Sequence, residues 1–297
     1  MFTLQVHPYT MSKIDYLLWA FRKSLRDGRE AVVCPACGEK KSRLVRRKWG
    51  VTALRECPAC LLRFRTPKDD PTSVERFYVD EVYKQGFTTD LPSDDQLKAM
   101  MQNRFAGTWA DFSTKIDILR AVGLRPGARV VDFGGSWGYA SWQFRQAGFE
   151  VFTYEIGRER ARYAKQKLGC MIMEDLRPLD GTIDCFFSAH VIEHLPNLNI
   201  FFDEAAKVLA PGGIIICCCP NGAEERRQRE GLKAYDQNWG KVHPLMITPG
   251  FMKTEARKRG FASCNVYSSP VNLLDVEARR DGDLSQSELL AIAYLPN

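Results

Sequence analysis

Val130-Val131-Asp132-Phe133-Gly134-Gly135-Ser136-Trp137-Gly138 runs from apolar residues through an acid into a cluster of glycines, and a helix-like stretch from Tyr139 to Gly148 comes next. This is the pattern of a strand turning sharply into a helix, with glycine where the backbone must bend or let a ligand approach closely. Seventeen residues after Gly138, Glu155 closes a second strand-like run, Glu150-Val151-Phe152-Thr153-Tyr154. An acid at that place can accept hydrogen bonds from both hydroxyls of a ribose.

Outward from this stretch, strand-like and helix-like segments alternate. Strands are expected over Arg129–Phe133, Glu150–Tyr154, Cys170–Met173, Ile183–Ala189, Gly213–Cys219, Phe261–Ser268 and Glu288–Tyr294. Helices are expected over Trp137–Ala147, Arg158–Lys167, Leu198–Leu209 and Thr248–Arg259, and an amphipathic helix carries Trp109, Phe112, Ile116, Leu119 and Val122 up to Gly123 and Pro126. Alternation of this kind predicts a parallel sheet with helices on both faces.

Upstream, Cys34-Pro35-Ala36-Cys37 and Cys57-Pro58-Ala59-Cys60 stand 19 residues apart. Each pair forms a tight knuckle offering two thiolates, and two knuckles complete a tetrahedron, so Cys34, Cys37, Cys57 and Cys60 are expected to hold a structural zinc ion with no open position. A redox or disulfide pair is the competing reading. Between the knuckles, Lys40, Lys41, Arg43, Arg46, Arg47 and Lys48 precede Trp49. They form either a solvated ribbon face, the favoured reading, or a grip on an RNA backbone. The domain plan is an N-terminal amphipathic helix in 1–33, a zinc ribbon in 34–66, a helical connector in 67–108 and the main domain in 109–297. In the first segment Ile14, Leu17, Leu18, Phe21 and Leu25 share a helical face, followed by Arg22 and Lys23 with no small-residue cleavage site, so a surface helix is expected and not a signal peptide; Met11 is an alternative start.

The 297 residues are 45% hydrophobic and 26% charged, which fits an ordinary globular chain and excludes a disordered one. A net charge of +6 permits an anionic partner without requiring nucleic acid. The longest apolar run, around Ile214–Cys219, is too short to span a bilayer. Cys217-Cys218-Cys219 sit in that run and are expected to be small core residues in a reducing compartment, the cytoplasm.

Five further features converge on one family. Asp132-x-Gly134-x-Ser136-x-Gly138 resembles the first motif of class I S-adenosylmethionine-dependent methyltransferases, with Ser136 where a middle glycine is commonest. Ser188-Ala189-His190-Val191-Ile192-Glu193-His194-Leu195-Pro196 resembles the family's strand-four segment, Val208-Leu209-Ala210-Pro211-Gly212-Gly213 its turn before strand five, Pro220-Asn221 the end of that strand, and Ser287 to Ala293 the closing strand seven. The resemblance implies a seven-stranded Rossmann-like methyltransferase sheet and S-adenosylmethionine as cofactor. It implies that amides of the Gly134, Gly135, Ser136 and Gly138 turn face the cofactor's amino-acid end and that Asp132 contacts its amino group. Glu155 would then hold the ribose, Ile156 pack on the adenine, Asp175 and Leu176 contact it, and Ala189 and His190 line the pocket, with His190 also a candidate catalytic residue. The ribbon, with the aromatic-rich stretch Arg76-Phe77-Tyr78-Val79-Asp80-Glu81-Val82-Tyr83, resembles bacterial methyltransferases of sugar and small-molecule pathways.

His190-x-x-Glu193-His194 also spells an inverted zinc-protease motif, but that chemistry needs both histidines on one long helix, and here a strand precedes and Pro196 follows. His243 is the expected general base, since an ordinary imidazole suits proton abstraction near neutral pH, with a packing role as the alternative. The expected acceptor is a small molecule, a sugar or sugar-nucleotide hydroxyl. RNA is the second reading, disfavoured for base amines because no Asn-Pro-Pro-Tyr or Asp-Pro-Pro-Tyr follows strand four.

Overall fold

The computed structural model describes residues 14, 16–21, 32–68 and 90–297. The stretch 76–83, residues 69–89 of the expected helical connector, and Leu25 on the N-terminal face lie outside the described residues. The larger sheet has seven strands in the order β10-β11-β8-β7-β4-β5-β6. These are β4 (Arg129–Phe133), β5 (Glu150–Tyr154), β6 (Met171–Met173), β7 (Ile183–Ala189), β8 (Leu209–Pro220), β10 (Ser263–Ser269) and β11 (Glu288–Tyr294). Strands β4 to β8 pair in parallel, and β11 runs antiparallel to both its neighbours.

Alternation of side chains sorts the core into two layers. Val131, Phe186, Ile215, Cys217, Cys219, Leu289 and Ala291 face one way, against Phe201 and Phe202 of helix α5 (Asn199–Val208) and Phe251 of α7 (Pro249–Lys258). Val130, Cys185, Phe187, Ile214, Ile216, Cys218, Leu290 and Ile292 face the other, against Ile118 and Leu119 of α2 (Ser113–Ala121) and Phe144 of α3 (Tyr139–Gln146). The three consecutive cysteines are thus small core residues divided between the two faces. Trp109 and Phe112 precede α2 instead of riding on it. A third cluster packs Leu97 of α1 (Asp94–Gln102) with Trp137 and with Ala164 of α4 (Arg158–Leu168).

The cysteine segment forms an antiparallel sheet of β1 (Arg43–Lys48), β2 (Thr52–Glu56) and β3 (Arg63–Thr66). Its fourth strand comes from the main domain. β9 (Leu245–Met246), which had no sequence signal, pairs with β3 through Arg63↔Met246 and Phe64↔Leu245. Arg63 is buried: its Nε donates to Glu56 Oε2 at 2.7 Å, and its Nη1 donates to the Tyr235 hydroxyl at 2.6 Å and to Gly222 O at 3.0 Å. The basic run is only partly solvated. Arg46 meets Asp236 at 2.9 Å, Lys48 Nζ donates to Asp236 O at 2.6 Å and lies 4.4 Å over the Trp239 ring, and Arg43 pairs with Glu56 at 2.6 Å. Asp236 belongs to α6 (Glu224–Gln237), so Arg46 and Lys48 fasten the ribbon to the main domain, while the Arg43–Glu56 pair stays within the ribbon.

The N-terminal helix presents a different face from the one expected. Tyr16 and Ala20 are buried, with the Tyr16 hydroxyl 2.9 Å from Thr52 Oγ1 and its ring edge-on to Trp49, whereas Ile14, Leu18 and Phe21 are exposed. Ring-to-ring contact and a buried hydroxyl partner outweigh the aliphatic stripe.

Truncating Arg63 to Ala leaves the Tyr235 hydroxyl without its donor, the Gly222 carbonyl with only the Tyr235 hydroxyl at 3.3 Å, and Glu56 with only its exposed partner. A loss of about 3–5 kcal/mol in urea or thermal unfolding is expected for removing one member of a buried ion pair.

Candidate active site

Ligands of open parallel sheets bind beyond the carboxyl ends of the strands, and there the chain leaves β4 through Gly134–Gly138. Gly134 and Gly138 take φ of +79° and +88°, and Ser136 takes +51°, the left-handed hand that glycine favours. A Cβ on Gly134 would lie 2.3 Å from Val191 Cγ2, one on Gly135 2.5 Å from Thr153 Cγ2, and one on Gly138 2.7 Å from the Cys170 sulfur. The amides expected to face a cofactor are engaged within the protein. Gly134 and Gly135 donate to Tyr154 O at 2.7 and 3.1 Å, Ser136 to Glu155 Oε2 at 2.9 Å, and Gly138 to Gly135 O at 2.9 Å. The glycines therefore supply room and direction of turn, while their amides close the turn itself. The Ser136 hydroxyl is buried without a hydrogen-bond partner among the described residues, an orphan that a polar ligand group would satisfy.

Asp132 is buried at the end of β4 and accepts from Ser141 Oγ at 2.6 Å; Ser141 in turn accepts from Thr153 Oγ1 at 2.7 Å. Burial raises the Asp132 carboxyl to about 6, against the Ser141 hydrogen bond and with help from the nearby Glu155 charge. Ser141 and Thr153 carry no motif, which is why they escaped sequence reasoning. Glu155 is half-buried, and its two oxygens accept from Ser136 N and from Gly157 N (2.6 Å). Burial raises its pKa, opposed by the Gly157 amide. A carboxylate has about four acceptor sites, so hydroxyls can still bind it. Ile156 is 60% exposed beside it, placed to cover a flat ring. Asp175 is held by the side chain and amide of Arg177, and the Leu176 side chain is core. This donor set and cradle fit S-adenosylmethionine.

The strand-four segment ends in a 3-10 turn, Ile192–His194, and no helix carries the two histidines together. His190 takes φ of 56° with its amide on Cys218 O at 2.8 Å. Its Nε2 lies 3.1 Å from Glu288 Oε1 and its Nδ1 3.4 Å from Glu193 Oε1. Burial opposes its charge, but the carboxylates of Glu193 and Glu288 prevail and push the imidazole up to about 10. Glu288, which the sequence did not single out, also accepts from Ser269 Oγ at 2.6 Å and pairs with the buried Lys115. Ala189, at the end of β7, is half-buried beside this histidine.

His243 lies just before β9, and its ring stands 4.7 Å from that of His194. Burial lowers it to about 3, with the neighbouring His194 acting in the same sense. The ground for expecting a general base, an ordinary imidazole pKa, is therefore absent, since so acidic a conjugate acid makes a weak proton acceptor.

In the ribbon the four cysteine sulfurs lie within 4.8 Å of one another, with Cys34–Cys60 and Cys37–Cys57 each at 3.5 Å. A tetrahedral zinc with bonds of about 2.3 Å needs sulfurs about 3.8 Å apart, so the set fits.

A seven-stranded sheet with β11 reversed and a glycine turn opening at its carboxyl edge defines the Rossmann-like methyltransferase fold. Residues 98–265, more than half of the chain, match a methyltransferase-domain family; the chain belongs to that family and is a S-adenosylmethionine-dependent methyltransferase. Among solved structures it is similar to a S-adenosylmethionine-dependent methyltransferase from Thermotoga maritima (15% identity, covering 67% of this chain and 94% of that one, TM-score 0.43). Magnesium protoporphyrin IX methyltransferase from Synechocystis, with S-adenosylhomocysteine bound, is similar at 16% identity over 76% of this chain and 100% of that one, TM-score 0.48. Phospholethanolamine N-methyltransferase 2 from Haemonchus contortus is similar at 14% identity over 69% of this chain and 58% of that one, TM-score 0.46. No curated protein matches the chain. No helix among the described residues is long and apolar enough to cross a membrane.

Replacing Glu288 by Gln leaves Lys115 buried without its counter-charge and His190 with one carboxylate in place of two. Chemical denaturation is expected to show about 3–5 kcal/mol of lost stability, and NMR titration of His190 a lowered pKa.

Proposed function

We propose that this methyltransferase acts on a hydroxyl of a small molecule, a sugar or sugar nucleotide, with the cysteine ribbon holding a structural zinc ion. When bound, S-adenosylmethionine supplies an electrophilic methyl on its sulfonium. Asp132 receives the cofactor's amino group, Glu155 its ribose, and Ile156 with the 175–176 backbone its adenine. His190, kept cationic between two carboxylates, lines the carboxyl edge of the sheet beside the cofactor turn and presents positive charge there. Alignment of acceptor and cofactor and exclusion of water are the main contributions such a displacement needs from a protein.

The observation that carries the small-molecule reading is the docking of the ribbon. Through β3 and β9 it is built into the wall that bears His243, and Arg46 and Lys48 of its basic run are engaged by Asp236 of the main domain, while Lys40, Lys41, Arg43 and Arg47 stay exposed. A nucleic-acid grip needs charges such as Arg46 and Lys48 outward. The sugar assignment rests on the resemblance of the ribbon and domain arrangement to sugar-pathway methyltransferases. Incubating the full chain with methyl-labelled S-adenosylmethionine and either a sugar-nucleotide extract or total RNA is expected to label the small-molecule fraction; label confined to RNA would overturn the reading.

Asp132 gives the cofactor site a pH dependence. Its folded-state pKa, about 6, stands above the ordinary carboxyl value of 3.8, so the unliganded fold gains stability as pH falls through about 6 towards 4. Cofactor binding runs the opposite way, because a cationic amino group needs the ionised carboxylate. Calorimetric affinity for S-adenosylmethionine is expected to reach its plateau above about pH 7, to be half of that at about pH 6 and about tenfold lower at pH 5, and Asp132→Asn should bind weakly with no such slope.

A further inference from the structure

Glu193, His194 and His243 present a ligand atom each, all within 4.8 Å of one another. Glu193 is 1% exposed, yet neither of its carboxylate oxygens has a hydrogen-bond partner among the described residues. The cationic His190 beside it supplies a balancing charge, but a buried carboxylate also needs partners for its lone pairs, and these it lacks among the described residues. His190 Nδ1 stands 3.4 Å from Glu193 Oε1 and His194 Nε2 3.8 Å from it, beyond good hydrogen bonds in both cases. Meanwhile His194 Nδ1 is 3.0 Å from Val242 O. A ring that donates from Nδ1 to a backbone carbonyl has its Nε2 in the lone-pair form, the arrangement by which proteins orient a ligating histidine.

From this geometry we infer that Glu193, His194 and His243 form a second metal site, for a divalent first-row cation, apart from the cysteine ribbon. Two imidazoles and one carboxylate suit iron(II), manganese(II), cobalt(II) or zinc, and three protein ligands leave coordination positions open. Ligands of a tetrahedral zinc stand about 3.3 Å apart, so the 3.8 Å between His194 and Glu193 closes by about half an ångström on loading. The chain brings the ligands together by two independent routes. Glu193 and His194 follow β7 in the turn whose Val191 packs on Gly134, and His243 arrives on the loop that β9 anchors to the ribbon. The site therefore adjoins the glycine turn at the carboxyl edge of the sheet. Open positions beside the cofactor turn would take oxygen donors of the acceptor, lowering the pKa of a hydroxyl and fixing its position. His243 serves as a ligand here, in place of the general base. The part concerning the acceptor rests on the hydroxyl reading above; the metal site itself does not.

Manganese(II) is the probe of choice, because a hard cation leaves the four-thiolate ribbon to zinc. The full chain, purified with its ribbon loaded, is titrated with manganese(II) and followed by electron paramagnetic resonance. One equivalent bound by the wild type, with affinity at least about tenfold lower in Glu193→Gln and in His243→Asn, is the expected result. S-adenosylhomocysteine affinity and melting temperature, measured on the same samples, report that each variant is folded. A wild-type chain that binds no manganese(II), or folded variants that bind it as well as the wild type, would overturn the site. Binding is read without any acceptor, so failure to find a methylated sugar leaves this result intact, and loss of the metal site leaves the acceptor question open to the labelling experiment.

Discussion

The carbonyl of Tyr154 and the carboxylate of Glu155 hold the turn on which the rest of the molecule depends. Between β4 and helix α3 the chain adopts left-handed backbone at Gly134, Ser136 and Gly138, and such a path persists only where its surroundings over-determine it. One carbonyl receives two successive amides and Glu155 receives the third. Because Glu155 also takes the Gly157 amide, it clamps the first and second strand-to-helix turns together. The acid that would meet a ribose is thus a structural member before any ligand arrives.

The ribbon shows how a segment too small for a core of its own acquires one. Cys34, Cys57, Cys60, Leu62 and Phe64 join the same buried cluster as Leu245, Ile247 and Phe251. The second knuckle is tied to helix α7 directly: Thr248 accepts from Phe251 N at 3.0 Å as its N-cap and donates to Leu61 O at 2.8 Å. A metal closing Cys57 and Cys60 therefore stiffens the strand, the cap and the His243 loop at once, since binding free energy at such a site is also folding free energy.

Much of this was legible in the sequence, for a physical reason. Buried strands such as Ile183–Ala189 and Glu288–Tyr294 carry their pattern in consecutive residues, and a glycine turn must declare itself because other residues cannot follow its path. What stayed hidden was whatever depends on contact between distant segments. β9 is two residues long, Arg63 reads as one more charge in a basic segment, and Ser141 and Thr153 meet Asp132 only after the sheet has formed. The N-terminal helix buries Tyr16 in place of its aliphatic stripe for the same reason, since Thr52 and Trp49, which receive Tyr16, lie in another element.

The environment of His190 extends this to the far end of the chain. Its left-handed backbone costs about 1–3 kcal/mol in a residue other than glycine, so something must hold it. The Cys218 carbonyl fixes its amide and two carboxylates fix its ring. Those carboxylates, Glu193 and Glu288, carry two negative charges, and the positive charges of Lys115 and His190 balance them. Neutral sets of this kind tolerate burial where single charges do not. Lys115 comes from α2, Glu288 from the first residue of β11, and β11 enters the sheet antiparallel beside β8. Placing the reversed strand there brings an acid to the carboxyl edge that none of the parallel strands could supply from that side. The orientation of His190 is consequently set by a residue almost one hundred positions further along the chain.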